Sequence, residues 1–428
     1  MTHLVILKGF FMGEIRHQYV LMLKNIFAGD MSLGDAKDVI SEQHRSFFNM
    51  LLMTTFRQLT FIKAEVLPKF IKKKIPHKQQ ILEFILYLGI TELLFLDTPD
   101  YAVINSYVTV AKKFTDKFGG NFVNAVLRNI LQNKEQLLTT RKIKFFSPDF
   151  LKILKQDYTA QEIAEMEDLA AVEPPLDLTL KANYVANIKD SFLLPTGSLR
   201  LPAHTKIASL SDYENGCFWA QDAASALPVK CLPNLKDKKV LDLCAAPGGK
   251  TAQLLDAGAI VTAVDISEKR LSRLKENIER LNLGQNLTVI CTDALKFESD
   301  EKFDIILVDA PCSATGTFRR HPEIINTKTI ADVKKQALLQ KEILKHIISF
   351  LAPKGLLVYA TCSLAKLEGE KQIKTFLQEH SNFEILPISL KGTENMQSKE
   401  GFLRILPQYF KEFSGIDGFF TAILQRKI

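Results

Sequence analysis

No cysteine occurs before residue 217, and the six in the chain (217, 231, 244, 291, 312 and 362) include no Cys-x-x-Cys pair. That spacing argues against a zinc site or a redox dithiol, so no metal is expected. Scattered thiols without a secretory leader fit a reducing cytoplasm, where the protein is expected to reside. The opening Leu4-Val5-Ile6-Leu7 run is too short for a signal core and has no small-residue cleavage site. Met12-Gly13 offers an alternative start that would leave residues 1–11 as an extension. Long apolar runs are also missing: Ile81 to Leu96 is broken by Glu83 and Glu92, so no membrane span is expected. Internal repeats and low-complexity segments are absent, which leaves an ordinary globular chain of two or three domains over 428 residues.

Charge, by contrast, is unevenly placed. Residues 1–150 carry 20 Lys+Arg against 13 Asp+Glu, whereas the remainder balances at 35 of each. The whole basic excess therefore belongs to the first third, as in a polyanion-facing module joined to a neutral one. That first third reads as helical, with apolar residues at threes and fours, for example Leu82, Ile85, Leu86, Ile90, Leu93 and Leu94. Its lysines cluster at 69, 72, 73, 74 and 78, then at 112, 113 and 117 beside Arg128. A single such cluster is as readily a solvated helix face, but the domain-wide excess tilts the reading toward nucleic acid.

The rest divides in two. Residues 144–215 hold five prolines and the alternating Leu176-Asp177-Leu178-Thr179-Leu180, consistent with a linker and a small α/β subdomain. From about 216, strand, loop and helix recur. Lys239–Leu243 and Ile260–Val264 read as strands, Ser267 as a helix cap, and Ile330 to Phe350 as a long helix. Repeated βα units give a doubly wound, mostly parallel sheet.

Between the first strand and the following helix lies Cys244-Ala245-Ala246-Pro247-Gly248-Gly249-Lys250-Thr251, one residue short of a phosphate-binding loop. The missing glycine is at Cys244, and the tight phosphate cradle depends on it. Acids at successive strand ends fit better. Asp265 lies 23 residues beyond Asp242, where ribose hydroxyls are bound in such folds, and Asp293 ends the third strand. This acidic rim suits a cationic, phosphate-free nucleoside such as S-adenosylmethionine; any one of these aspartates could be a turn or helix cap, but three at successive strand ends are more specific.

Two further strand-like runs end in near-identical motifs, Ala310-Pro311-Cys312-Ser313 and Ala360-Thr361-Cys362-Ser363. Parallel neighbours lie ~4.8 Å apart, so both thiols can face one substrate from adjacent strand ends. Cytosine C5 is too electron-poor to attack a sulfonium methyl unaided. A thiolate added at C6 makes C5 nucleophilic, and Asp309 is placed to act as the acid at N3.

These residues resemble the RNA cytosine-5 methyltransferase superfamily, and within it the Sun/Fmu subfamily. Phe122-Val123-Asn124-Ala125-Val126-Leu127-Arg128 is similar to the signature of NusB-like RNA-binding domains, and Ala220-Gln221-Asp222 and Asp417-Gly418-Phe419-Phe420 resemble the ends of the catalytic core. The resemblance implies a NusB-like helical domain over 12–143, a linking subdomain over 144–215 and a Rossmann-like methyltransferase core over 216–428. It also implies S-adenosylmethionine bound by Cys244, Ala245, Ala246, Pro247, Gly248, Gly249, Lys250, Asp265, Asp293 and Asp309. Cys362 would be the nucleophile and Cys312 would assist release, with cytosine 967 of small-subunit ribosomal RNA as the target. Leu367-Glu368-Gly369-Glu370 departs from the Glu-Asn-Glu found there in the family. A monomer that touches no membrane is expected. A tRNA substrate, or an RNA-binding assembly factor with an inactive core, remain as alternatives.

Overall fold

The computed structural model describes residues 12–141 and 144–427, so the Leu4–Leu7 run and an extension over residues 1–11 lie outside the described residues. The chain divides into two compact units. The first is residues 1–150 together with 321–327, and the second is residues 151–320 with 328–428.

All the regular structure among the first unit's described residues is helical. Its helices include Met12–Ala28, Glu42–Phe61, Ile81–Phe95, Asp100–Phe114 and Lys117–Gln132. Ile81–Phe95 is apolar on every side and forms the centre of the core, as its unbroken run of buried residues from Phe84 to Leu94 requires. Of the two charges that break this run in the sequence, Glu92 is fully buried and paired. It accepts from Arg16 Nε at 3.1 Å and from the Tyr107 hydroxyl at 3.0 Å. Pairing is what makes burial of that carboxylate tolerable. Asp116 caps the helix carrying the 122–128 motif by accepting from the Gly119 amide at 2.9 Å. In that motif Val123, Val126 and Leu127 face the core, and Arg128 lies exposed on the outer side with Asn124 accepting from its Nε at 3.0 Å. Lys72, Lys73, Lys74 and Lys78 are exposed too. The short helix Glu323–Thr327 belongs to this unit despite its late position. Asn326 donates to the Phe56 carbonyl at 3.1 Å and Ser147 to the Ile325 carbonyl at 2.5 Å.

The second unit holds two sheets. In the smaller, β1 (Leu176–Leu180), β2 (Phe192–Leu193), β3 (Leu199–Leu201) and β4 (Phe218–Ala220) are antiparallel in the order β2-β3-β1-β4. Asp177 and Arg200 lie buried within it as a bidentate pair at 2.6 and 2.8 Å.

The larger sheet starts with β5 (Lys239–Leu243), β6 (Ile260–Asp265), β7 (Leu287–Cys291), β8 (Phe303–Asp309) and β9 (Leu351–Thr361). It ends with β10 (Phe383–Ile385), β11 (Leu403–Ile405) and β12 (Phe419–Arg426). The order is β10-β12-β9-β8-β5-β6-β7, with β11 also paired to β12. From β7 to β9 the neighbours are parallel, and the strands added after β9 are antiparallel. Alternate residues go to opposite faces, as the period of two demands. Val240 packs with Leu254, Leu271, Leu274 and Ile278 on one side, and Leu241 and Leu243 pack with Ile343, Leu344 and Ile347 on the other. Helices cover both faces, and the sheet is doubly wound. Among the described residues no helix is long and apolar enough to cross a membrane.

Candidate active site

β8 lies between β5 and β9, which brings the cofactor-loop strand and both thiol strands together. Asp309 is level with Ala360, and the Ala310 amide donates to the Ala360 carbonyl at 2.9 Å. The two motifs therefore leave adjacent strand ends in step, with Cys312 Sγ and Cys362 Sγ 3.4 Å apart. The hydrogen bond that Cys312 donates to Cys362, followed by burial, holds the Cys312 thiol well above its usual range, with the Cys362 and Glu368 charges adding to it. Cys312 is accordingly a neutral thiol at physiological pH.

Lys250 reaches Asp309 at the end of β8 from the helix that follows the cofactor loop. Its ammonium donates to Asp309 Oδ2 at 2.7 Å and to Ser225 Oγ at 3.2 Å, and stands over the Phe419 ring at 5.2 Å. In a phosphate-binding loop the lysine and the following hydroxyl must be available to phosphate and metal. Here both are committed to acids, since Thr251 donates to Asp242 at 2.6 Å. The nucleotide-triphosphate reading fails on these contacts as well as on Cys244.

The loop itself is built around left-handed backbone at Cys244 (φ +59°) and Gly248 (φ +101°). At Gly248 a Cβ would meet the Leu274 side chain at 2.8 Å, so glycine serves both the backbone angle and the close helix packing. Asp265 organises the loop from the end of β6. Its carboxylate accepts from the Ala246 amide at 3.2 Å and the Ser267 amide at 3.0 Å, with the Arg270 guanidinium 3.5 Å away. Asn277 holds the Pro247 carbonyl at 3.3 Å. Asp293 accepts from the Leu295 amide at 3.0 Å, which makes it a turn cap as well as an acid at the end of β7.

Four carboxylates thus stand at or near the carboxyl ends of adjacent strands, from Asp293 through Asp265 and Asp242 to Asp309. Asp242 is fully buried, and one of its oxygens has no partner. Burial pushes its carboxyl up to about 7, and Asp309 adds to the shift against the Thr251 hydrogen bond. Burial, with Asp309 and Asp265, likewise pushes the Cys244 thiol up to about 12, so this cysteine is a loop residue and not a nucleophile. An acceptor-rich rim with an orphaned carboxylate oxygen fits a cationic nucleoside bearing hydroxyl and amino donors, which is the chemistry of S-adenosylmethionine.

Side chains that sequence reasoning had not singled out complete the site. Arg320 joins the two terminal motifs of the core, donating to Asp222 at 2.8 Å and Asp417 at 3.1 Å. Gly316 seats the first thiol loop against the second. Its amide donates to the Cys362 carbonyl at 2.8 Å, and a Cβ there would stand 2.1 Å from the Gly418 carbonyl oxygen. At the glycine that departs from the family pattern, Gly369, a Cβ would meet Arg404 Nη2 and the Phe420 ring. Arg404 instead grips Glu370 at 3.0 and 2.6 Å and donates to the Ser363 carbonyl at 2.6 Å.

Comparison with known proteins bears on both units. Residues 229–425 match a family described as 16S rRNA methyltransferase RsmB/F, and residues 13–132 match the NusB family. The chain is similar to ribosomal RNA small subunit methyltransferase B of Serratia proteamaculans, 32% identical over 376 residues that cover 82% of this chain and 86% of the relative. The protein of the same name from Vibrio cholerae is 32% identical over 424 residues, covering 92% and 94%. Among solved structures, a methyltransferase homolog from Pyrococcus horikoshii is 25% identical with a TM-score of 0.53, covering 65% of this chain and 99% of that one. The crystal structure of PH0851 has the same fold along 96% of this chain and 98% of its own, with a TM-score of 0.75 at 20% identity.

Proposed function

The chain belongs to the ribosomal RNA small subunit methyltransferase B family of S-adenosylmethionine-dependent rRNA cytosine-C5 methyltransferases, and from that premise we propose how its own residues carry the reaction. The observation that supports the proposal most directly is the pair of thiols 3.4 Å apart beside the Lys250–Asp309 ion pair.

Cys362, as thiolate, adds to C6 of the target cytosine, which splits one difficult substitution into two easier steps. Electron density then moves through the ring toward N3. Asp309, with the Lys250 ammonium at 2.7 Å as its proton source, meets the charge there. C5 becomes an enamine carbon able to attack. S-adenosylmethionine, when bound, supplies a methyl group activated by its positive sulfur. Cys244 to Lys250 and Asp265 would hold its nucleoside, with Asp265 as an acceptor for ribose and Asp293 as an acceptor for the adenine amino group. After transfer, N3 returns its proton to the Asp309–Lys250 pair and the C5 proton passes to water; the electron pair it leaves forms the C5–C6 double bond as the C6–Sγ bond breaks and Cys362 departs as thiolate. Cys312 assists this release, its neutral thiol facing the departing sulfur.

The division into a helical RNA-binding module over 12–143, a linker and small subdomain over 144–215 and a catalytic core over 216–428 goes with this reading. The exposed lysines at 72, 73, 74 and 78 are its phosphate contacts. Cytosine 967 of the small-subunit rRNA is the target, and the protein works as a cytoplasmic monomer. Bisulfite sequencing of rRNA and tRNA from a strain lacking the gene tests the substrate. One 16S cytosine should lose its protection and regain it with the wild-type gene. Loss confined to tRNA would overturn the rRNA assignment.

A further inference from the structure

Beneath the two thiol loops lies a carboxylate that the chemistry above does not use. Glu368 is fully buried in the short turn Lys366–Glu368. Its Oε1 accepts from the Ser313 amide at 2.8 Å and from Gln340 Nε2 at 3.0 Å. Its Oε2 accepts from Ser313 Oγ and from Ser363 Oγ, each at 2.5 Å. Ser313 follows Cys312 and Ser363 follows Cys362, and their hydroxyls are 3.1 Å apart. One carboxylate therefore ties together the residues next to both thiols.

A carboxylate in a dry interior is costly unless its lone pairs are all answered, and this one is answered almost wholly by the thiol loops. Displacing either loop would leave charge without a donor. The turn is fixed in its own right, because the Tyr359 hydroxyl donates to the Glu368 carbonyl at 2.8 Å. The Cys362 side is held a second time by Arg404 on the Ser363 carbonyl at 2.6 Å. Glu368 has no route to substrate, so it acts through the serines.

We propose that Glu368 is a positioning residue for methyl transfer, its buried carboxylate clamping the Cys312-Ser313 and Cys362-Ser363 turns so that both thiols address one pyrimidine ring. This rests on the reading of Cys362 as nucleophile and Cys312 as release group. Misplacing a reacting group by ~1 Å costs about 100-fold in rate, which sets the size of the effect. The titratable groups facing Cys312 are Cys362 on the neighbouring loop, Glu368 beneath it and Tyr359 on β9. After the Cys362 hydrogen bond and burial, the Glu368 charge contributes to holding the Cys312 proton, so its removal leaves a thiol that titrates lower.

The test uses full-length Glu368→Gln, which keeps the shape and removes the charge. S-adenosylmethionine affinity and RNA KM should stay at wild-type values while kcat falls about 100-fold. Site-resolved iodoacetamide labelling should show Cys312 alkylated with a midpoint at lower pH than in wild type. A role in stability alone would lower the melting temperature and leave both kcat and that midpoint unmoved, which overturns the proposal. Adding Glu368→Gln to Cys312→Ala should slow accumulation of the covalent RNA adduct. If Cys312→Ala by itself yields no adduct, the nucleophile assignment has failed; if it yields one at the same rate with and without Glu368→Gln, the clamp has failed. Should Glu368→Gln not fold, Ser313→Ala decides, since it keeps the charge and the amide contact. A roughly tenfold fall in kcat with an unmoved Cys312 midpoint supports the clamp, and an unchanged kcat overturns it.

Discussion

Asp265→Ala isolates the contribution of the acidic rim to cofactor affinity. The residue is almost completely buried, and its oxygens are engaged by the Ala246 and Ser267 amides and by Arg270. A hydrogen bond to a charged group contributes about 1.5–3 kcal/mol, and each ~1.4 kcal/mol is tenfold in affinity. Loss of the ribose acceptor alone should therefore weaken S-adenosylmethionine binding about 10- to 150-fold. Two secondary effects act in the same direction. The Ala246 amide loses the acceptor that shapes the loop, and Arg270 is left as an uncompensated cation close to a cationic ligand. Isothermal calorimetry on wild type, Asp265→Ala and Asp304→Ala measures this. Asp304 near the opposite end of β8 accepts from the Lys239 amide at 3.0 Å and serves as the remote control, expected to bind normally. A folded Asp265→Ala protein with unchanged affinity would remove that residue from the cofactor site and refute the reasoning.

Charge reversal at Lys72, Lys73 and Lys74 in the full chain should weaken RNA binding across sequences and flatten its dependence on salt. The log–log slope should shrink by roughly 0.7–0.9 for each phosphate that is no longer neutralised, and an unaltered slope would leave these lysines as a solvated face. Asp242 should also make stability depend on pH. Its carboxyl is held near 7 by burial, against about 3.9 in an unfolded chain, so its contribution is full below the unfolded value and is lost as pH rises through about 7. Thermal melts of wild type against Asp242→Asn should therefore show the stability of wild type falling relative to the variant between pH 4 and 8, and a constant offset would contradict the buried, proton-holding carboxyl.

Much of this site was legible in the chain because strand ends are marked twice, by an apolar run and by the residues that stop it. Lys239–Leu243, Ile260–Asp265 and the two thiol strands fall where the runs predicted, and the adjacency of Cys312 and Cys362 follows from strand order. What escaped depends on side chains that meet only in the fold. Lys250 read as part of a cofactor loop, yet its ammonium crosses to Asp309, 59 residues on. Glu368 stood in a motif noted only for its departure from a family pattern, and nothing local shows that two serines 50 residues apart both point at it. Arg320 is one arginine among many until Asp222 and Asp417 converge on it. The passage of 321–327 into the first unit is equally invisible, since the helix Glu323–Thr327 is anchored by backbone carbonyls and not by any residue pattern.

The assignment of roles to the two thiols is the centre of the account, and trapping the covalent intermediate tests it most directly. Each single variant and the double variant is incubated with substrate RNA and S-adenosylmethionine, then resolved by denaturing electrophoresis. Cys312→Ala should add, methylate and stall, giving a slower band of protein joined to methylated RNA. Cys362→Ala and the double variant should give none. A band in Cys362→Ala that is absent from Cys312→Ala would exchange the roles of the two cysteines and contradict the account.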